Sequence, residues 1–304
     1  MTDGVASPRC WIVSPMLNDT ESFLRVRTET LAACAERGPE LVFVVVDDSA
    51  GTDPDVDRLR GLDDVEVIVA PFNLGHQRAI VYALRLLADR VGDADMVVTM
   101  DSDGEDQPSD VPRLLDALAG EHASLALAQR TQRSESLPFR IMYAVYRVAF
   151  RLLTGTTVRS GNFAVQRGDS LKATIGHPTF DLCYSSSLLA LRRPTAMVPC
   201  ARGTRFAGTS RMNAQSLMAH GVRMLLPFAE RIAVRAMVLA ALAGGALVVL
   251  LAVVAAGVGS GDALRGLIVA TAFVAVVFLA ALIAFLSLFA RFDQGRPSDR
   301  GAAR

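Results

Sequence analysis

The acidic run Asp101-Ser102-Asp103-Gly104-Glu105-Asp106 is the part of this chain best suited to chemistry. Two aspartates at i and i+2, leaving the end of an apolar run, can turn toward one hard divalent cation, and Glu105 can add a third oxygen. Mg²⁺ or Mn²⁺ held by a few carboxylates, with substrate phosphate filling the remaining positions, suits nucleotide chemistry. A lone Asp-x-Asp says little by itself, because acidic loops are most often solvated turns. The ligand pattern of a calcium-binding EF-hand is absent. Two further polar clusters follow apolar runs: Asp47-Asp48-Ser49 and Asn73-Leu74-Gly75-His76. His76 reads as a polar residue opening a helix rather than as part of a site. No glycine-rich dinucleotide or P-loop fingerprint follows an early strand, which argues against an oxidoreductase and a P-loop enzyme.

The elements that must position these residues alternate in type. Strands are expected at residues 10–14, 41–46, 65–70, 96–100 and 125–129, and helices at 20–37, 76–91, 111–118 and 139–153. Further strands are expected at 162–166 and 197–201, flanking helical stretches near Ser170 and Ser187. The unbroken β-branched run at 41–46 is that of a strand buried on both faces. Alternation of this kind implies an α/β fold with a largely parallel sheet, whose ligands bind at the carboxyl ends of the strands. All three polar clusters fall at such ends.

Composition bounds the function. Of 304 residues, 31 are Lys or Arg and 31 are Asp or Glu, so no bulk positive field argues for a nucleic-acid partner. Lys172 is the only lysine. The four cysteines (Cys10, Cys34, Cys183, Cys200) show neither a Cys-x-x-Cys pair nor metal spacing, and read as buried thiols in a reducing compartment. The polar first nine residues lack the apolar core of a secretory signal.

Apolar residues make up 51% of the chain, more than a purely soluble enzyme needs, and the excess lies after Arg235. Residues 236–258 and 267–290 contain no charge, and each run is long enough to span a bilayer, which takes roughly 20 residues. The short linker makes them a hairpin. Arg223, Arg231 and Arg235 precede the first run, and Arg291, Arg296, Arg300 and Arg304 follow the second. The positive-inside rule places both ends and the soluble body in the cytoplasm of a multi-pass protein of the cell membrane. Between body and hairpin, residues 212–235 carry apolar side chains at helical spacing with arginines on other faces, the pattern of an interfacial helix. The expected organisation is a catalytic domain at 1–211, juxtamembrane helices at 212–235, a transmembrane hairpin at 236–290 and a cytoplasmic tail at 291–304.

Taken in order, the motifs resemble those of the polyisoprenyl-phosphate glycosyltransferases of glycosyltransferase family 2, a group that includes dolichol-phosphate mannose synthase and the bactoprenol glucosyltransferases. The residues that carry the resemblance are Pro15-Met16-Leu17-Asn18-Asp19, Asp47-Asp48, Asn73-Leu74-Gly75, the acidic run, Arg130 with Arg133, and Arg205-Phe206-Ala207-Gly208-Thr209-Ser210-Arg211. It covers residues 11–235, and the C-terminal hairpin also matches many bacterial members. The resemblance implies a GT-A fold, a UDP- or GDP-sugar donor, a polyprenyl phosphate acceptor and an inverting displacement assisted by Mg²⁺ or Mn²⁺. It assigns Asp101, Asp103 and Glu105 to the metal, with Asp103 central to catalysis. Pro15, Asn18, Asp47, Asp48, Asn73 and Gly75 fall to the donor side. Arg130, Arg133, Arg205, Ser210 and Arg211 become candidates for holding phosphates, which guanidinium forks match well. Self-association through the hairpin, giving a homo-oligomer, is a further implication.

Two departures stand out. The family's proposed catalytic aspartate in Gly-Asp-Phe-Arg is Asn162 here, and the glutamine closing its metal motif is Glu105. Asn162 cannot act as a base, but a phosphate monoester with a second pKa near ~6 is already a dianion at neutral pH. Two other readings stay open: the same fold with a glycolipid acceptor, and a non-catalytic nucleotide-binding membrane scaffold. The Gln-x-x-Arg-Trp motif of processive synthases is excluded, because Trp11 is the only tryptophan.

Overall fold

The structure is a computed structural model that describes residues 8–36, 39–119, 122–130, 137–207, 214–256 and 261–294. The chain divides into two compact units, one of residues 1–145 with 157–227 and one of residues 146–156 with 228–304.

The first unit is built on a seven-stranded sheet. Its strands are β1 (Arg9–Met16), β2 (Glu40–Asp47), β3 (Val65–Val69), β4 (Met96–Thr99), β5 (Leu125–Arg130), β6 (Ser160–Arg167) and β7 (Thr195–Cys200). The order across the sheet is β3-β2-β1-β4-β6-β5-β7. All neighbours run parallel except β6, which is antiparallel to both β4 and β5. The helices are α1 (Thr20–Cys34), a short α2 (Asp57–Arg60), α3 (His76–Leu87), α4 (Val111–Ala119), α5 (Leu137–Thr154), α6 (Gly168–Ile175), α7 (Tyr184–Ala190) and α8 (Ala214–Leu225).

Period-two alternation divides the core in two. On one face Cys10, Ile12, Phe43 and Val45 of β1 and β2 pack against Phe23 and Val26 of α1 and Leu114 and Leu118 of α4. On the other, Trp11, Val13, Val44 and Val46 meet Ile80 and Leu84 of α3, Leu171 of α6 and Leu188 of α7. Helices cover both faces, which is why β2 reads as a continuous apolar run rather than as an alternation. Cysteines 10, 34, 183 and 200 are all buried and none is in a disulfide, as their scattered spacing implies.

A buried carboxylate ties the base of the sheet together. Asp95 accepts hydrogen bonds from Trp11 Nε1 (2.9 Å), the Arg9 amide (2.9 Å) and the Gly92 amide (2.8 Å). Burial works to raise its pKa, but these three donors bring it below the ordinary carboxylate value. Asp95→Ala leaves the donors unpaired and is expected to destabilise the first unit by roughly 2–4 kcal/mol in a denaturant titration.

In the second unit, α9 (Ala229–Ala255) and α10 (Asp262–Gln294) pack along one another, joined by the C-terminal part of α5. Where the sequence suggests one amphipathic segment over 212–235, the backbone has α8, a 3₁₀ turn at Leu226–Phe228 and then α9. Arg231 and Arg235 therefore ride on the first turns of the long helix. Among the described residues one helical stretch, Gln215–Ala255, is long and apolar enough to cross a membrane, and α10 carries a shorter apolar segment, Arg265–Ala280. None of the apolar window of the first stretch is buried in the protein. Met237, Leu242, Val248 and Phe273 are all exposed.

Candidate active site

The parallel strands β1, β2 and β4 deliver their carboxyl ends to one edge. Val13 pairs with Thr99, and Met16 pairs with Asp47, so the segments that follow start side by side. The Ser102 hydroxyl then donates to the Pro15 carbonyl (2.9 Å), and the Asp48 amide to the Met16 carbonyl (2.8 Å). Pro15, the acidic loop and Asp47-Asp48 are thereby locked to one another. Asn18, just beyond β1, is exposed and takes a left-handed φ of 50°, a conformation asparagine tolerates.

Asp47 and Asp48 are both turned toward main chain. Asp47 accepts from the amides of Ser49 (2.9 Å) and Gly51 (3.1 Å). Asp48 accepts from Leu74 (2.6 Å) and Gly75 (2.9 Å), while Asn73 Nδ2 reaches the Asp48 carbonyl (3.2 Å). Burial lifts the Asp48 pKa even against those two amides. Gly75 has φ 76° as it opens α3, a conformation that a side chain would strain. These four residues fix the shape of the loops after β2 and β3.

Within the acidic loop, Asp101 accepts from Asn162 Nδ2 (2.6 Å), and the Asn162 carboxamide oxygen accepts from Gln77 (3.4 Å). The Asn162 carbonyl is held by the Thr99 hydroxyl (2.6 Å), which also meets Tyr184 OH (3.1 Å). The antiparallel strand β6 is what brings Asn162 here. Asp106 accepts from the Asp101 amide (3.1 Å) and lies 3.5 Å from Arg130. Asp103 accepts from the Glu105 amide (2.9 Å) and pairs with Arg205 (2.5 Å). Glu105 pairs with Arg202. Burial pushes the carboxyls of Asp101, Asp103 and Asp106 above the ordinary range, and the neighbouring charges of Asp103 on Asp101 and of Asp101 on Asp106 push further.

The segment after β7 folds back over this loop. Gly203 donates to the Glu105 carbonyl (2.9 Å), and Phe206 to the Asp103 carbonyl (2.8 Å). The Phe206 ring lies so close to Gly104 that a Cβ there would come within 2.6 Å of it, and Arg25 stacks over its other side at 3.9 Å. Arg133, Ser210 and Arg211 lie outside the described residues.

Among the described residues, no three His, Cys, Asp or Glu side chains converge to hold a cation. Asp101 faces Asn162, Asp103 faces Arg205 and Glu105 faces Arg202, so none of the three stands without a partner. Mg²⁺ or Mn²⁺ needs only one or two protein carboxylates when phosphate oxygens complete its shell. The all-oxygen donor set, and the crowding of buried carboxyls that raises their pKa values, fit such an ion. Gln77, Arg202 and Tyr184 carry no signal in the sequence, while Asp106 and Phe206 stand out there only as members of the acidic run and of the late arginine motif.

A second cluster flanks the loops. The rings of His76 and His220 lie 5.9 Å apart, and burial, His76 and Arg223 lower the His220 pKa from 6.5 to about 4. A neutral buried histidine must charge as the pH falls, so its stabilising contribution is complete above pH 6.5 and lost toward about pH 4. His220→Gln is expected to flatten the decline of the melting temperature across that window, by an amount corresponding to at most about 3 kcal/mol.

Residues 11–187 match the glycosyl transferase family 2 domain. The chain belongs to glycosyl transferase family 2, and its mixed sheet is of the GT-A kind. It is 28% identical over 227 residues to an undecaprenyl-phosphate 4-deoxy-4-formamido-L-arabinose transferase of Pseudomonas fluorescens, a match covering 72% of this chain and 57% of that protein. A protein of the same description from Proteus mirabilis is 26% identical over 129 residues, covering 41% of this chain and 38% of that one. The matched stretches thus span less than two thirds of these relatives. Among solved structures, glucosyl-3-phosphoglycerate synthase from Mycobacterium tuberculosis, in complex with Mn²⁺, UDP-glucose and phosphoglyceric acid, superposes with a TM-score of 0.51 at 17% identity. That match covers 75% of this chain and 80% of the synthase, and it is a likeness of fold.

Proposed function

We propose that this chain transfers a sugar, with inversion, from a UDP- or GDP-sugar to a polyprenyl phosphate at the cytoplasmic face of the cell membrane. The observation that carries the reading is the acidic loop at the end of β4, gripped between Asn162 and Arg205 in a family 2 domain followed by an apolar helix. The polyprenyl phosphate acceptor is supported by the names of the curated relatives. The cytoplasmic face is supported by the arginines flanking the two uncharged runs.

Asp101 and Asp103, with Glu105 as a third oxygen, would hold Mg²⁺ or Mn²⁺, which when bound neutralises the diphosphate leaving group. Asp47, Asp48, Asn73 and Gly75 shape the loops beside the nucleotide, together with Pro15 and Asn18. Arg205 and Arg130, paired with Asp103 and Asp106, can exchange a carboxylate for a phosphate oxygen of the donor. Arg133, Ser210 and Arg211 are assigned to the phosphates by the family motif alone. Asn162 orients Asp101 and takes no proton, because a dianionic acceptor is already a nucleophile.

The test is direct. Purified full-length protein with Mg²⁺ or Mn²⁺, a panel of nucleotide sugars and undecaprenyl phosphate is expected to yield a chloroform-extractable glycosylated lipid. Product with diacylglycerol but not with undecaprenyl phosphate would move the assignment to glycolipid synthesis. Donor binding without turnover on any acceptor would leave only a scaffold role.

A further inference from the structure

The second unit holds a cleft of its own. A cleft of about 420 Å³ opens between the end of α5 and the first turns of α9, lined by Val148, Arg151, Leu152, Gly155 and Arg235. Its construction is specific. Gly155 ends α5 with φ 74°, and its amide donates to the Arg151 carbonyl (2.8 Å). Arg235 Nη1 donates to the carbonyls of Leu152 (2.7 Å) and Arg151 (3.4 Å), placing a cation on the negative end of the α5 dipole. A Cβ on Gly155 would collide with the Arg235 guanidinium, so the glycine is what admits it. Nearby in sequence, Phe150 of α5 meets Phe228 edge-on at 5.4 Å.

Two features identify the occupant. A guanidinium offers five N–H donors, and only Nη1 of Arg235 has an acceptor among the described residues. The Arg151 side chain is exposed and has no acceptor among the described residues. The same cleft is lined by Val148 and Leu152, 60% and 71% exposed, a degree that water disfavours and acyl chains do not. Arg235 is also the last charge before the uncharged run of α9, so the cleft sits where a spanning helix crosses from headgroups into hydrocarbon.

We propose that this cleft binds the phosphate of an anionic membrane glycerophospholipid, with Arg151 and Arg235 on the headgroup and Val148 and Leu152 against the upper acyl chains. The proposal rests on the membrane reading of α9 and not on the sugar-transfer chemistry of the first unit.

Native mass spectrometry of the full-length protein, released from detergent, tests it with three added probes: phosphatidylglycerol, phosphatidylcholine and inorganic phosphate. The wild type is expected to retain phosphatidylglycerol at least ~5-fold over phosphatidylcholine, a ratio equivalent to about 1 kcal/mol. Inorganic phosphate should not displace it. Arg151→Gln, whose side chain makes no cap bond, should lose the preference while its melting temperature stays unchanged; Gly155→Ala should lose it by displacing Arg235. Equal retention by wild type and Arg151→Gln, or displacement by inorganic phosphate, overturns the proposal. Failure of the membrane reading is seen separately: alkaline carbonate would then extract the wild type from membranes.

Discussion

Asp103→Asn is expected to lower sugar transfer by at least ~10³-fold while leaving the first unit folded. The expectation follows from the position of this carboxylate. It is buried, it is the nearest acid to Arg205, and with Asp101 it forms the pair that would face the donor diphosphate. A cation stabilising a leaving diphosphate contributes several kcal/mol to the transition state, and each ~1.4 kcal/mol is a factor of ten in rate. Asparagine keeps the size and one oxygen but lacks the charge that anchors the ion. Because burial raises the Asp103 pKa, neutralising it relieves a strained charge, and the melting temperature should change by no more than a few degrees. The decisive measurement pairs turnover with Mn²⁺-dependent thermal stabilisation in the presence of UDP. Full turnover in the variant would remove Asp103 from the metal, and intact Mn²⁺ stabilisation without turnover would move its role to the sugar.

Asp48→Ala should act mainly on the fold. Its carboxylate satisfies two amides, of Leu74 and Gly75, and is itself buried. Truncation strands both donors at a point where the backbone takes the left-handed conformation of Gly75, and a loss of about 3–5 kcal/mol is expected in urea or guanidinium unfolding. The donor affinity should fall too, because the loops after β2 and β3 lose their register with each other. Asp48→Asn separates the two effects. One amide keeps its acceptor, so roughly half the stability should return. If Asp48→Ala unfolds at the same denaturant concentration as wild type but no longer binds nucleotide, the carboxylate contacts ligand and the loop-shaping account is wrong.

Much of the first unit was legible because its signals are local. The β-branched run of β2 and the strand–helix alternation predict the parallel sheet, and all seven expected strands are present. The one antiparallel strand, β6, has no local signature, since direction is decided by which neighbour a strand joins rather than by its own residues. Its consequence for the site is large, because β6 carries Asn162 to Asp101. The acidic run could be found by residue type, but the destination of each carboxylate could not. Glu105 pairs with Arg202, 97 positions away, and nothing in the sequence announces that pairing. Asp47 and Asp48 accept main-chain amides, contacts that residue type alone does not reveal. Side-chain partners separated by a hundred positions follow from tertiary packing, and no spacing rule encodes them. The amphipathic pattern of 212–235 identified helix correctly but hid the 3₁₀ turn at Leu226–Phe228, where Pro227 interrupts it.

The loop–segment docking through Gly203 and Phe206 also sets the order in which the enzyme can mature. Asn162 is 61 positions and Arg202 is 97 positions from its acidic partner. During synthesis the first four strands leave the ribosome with their carboxyls still hydrated, and packing the acidic loop waits for the stretch that ends at Phe206. Long-range closures of this kind slow folding. A shortened, water-soluble form that stops before Phe206 would therefore expose a repelling acidic cluster instead of a finished pocket.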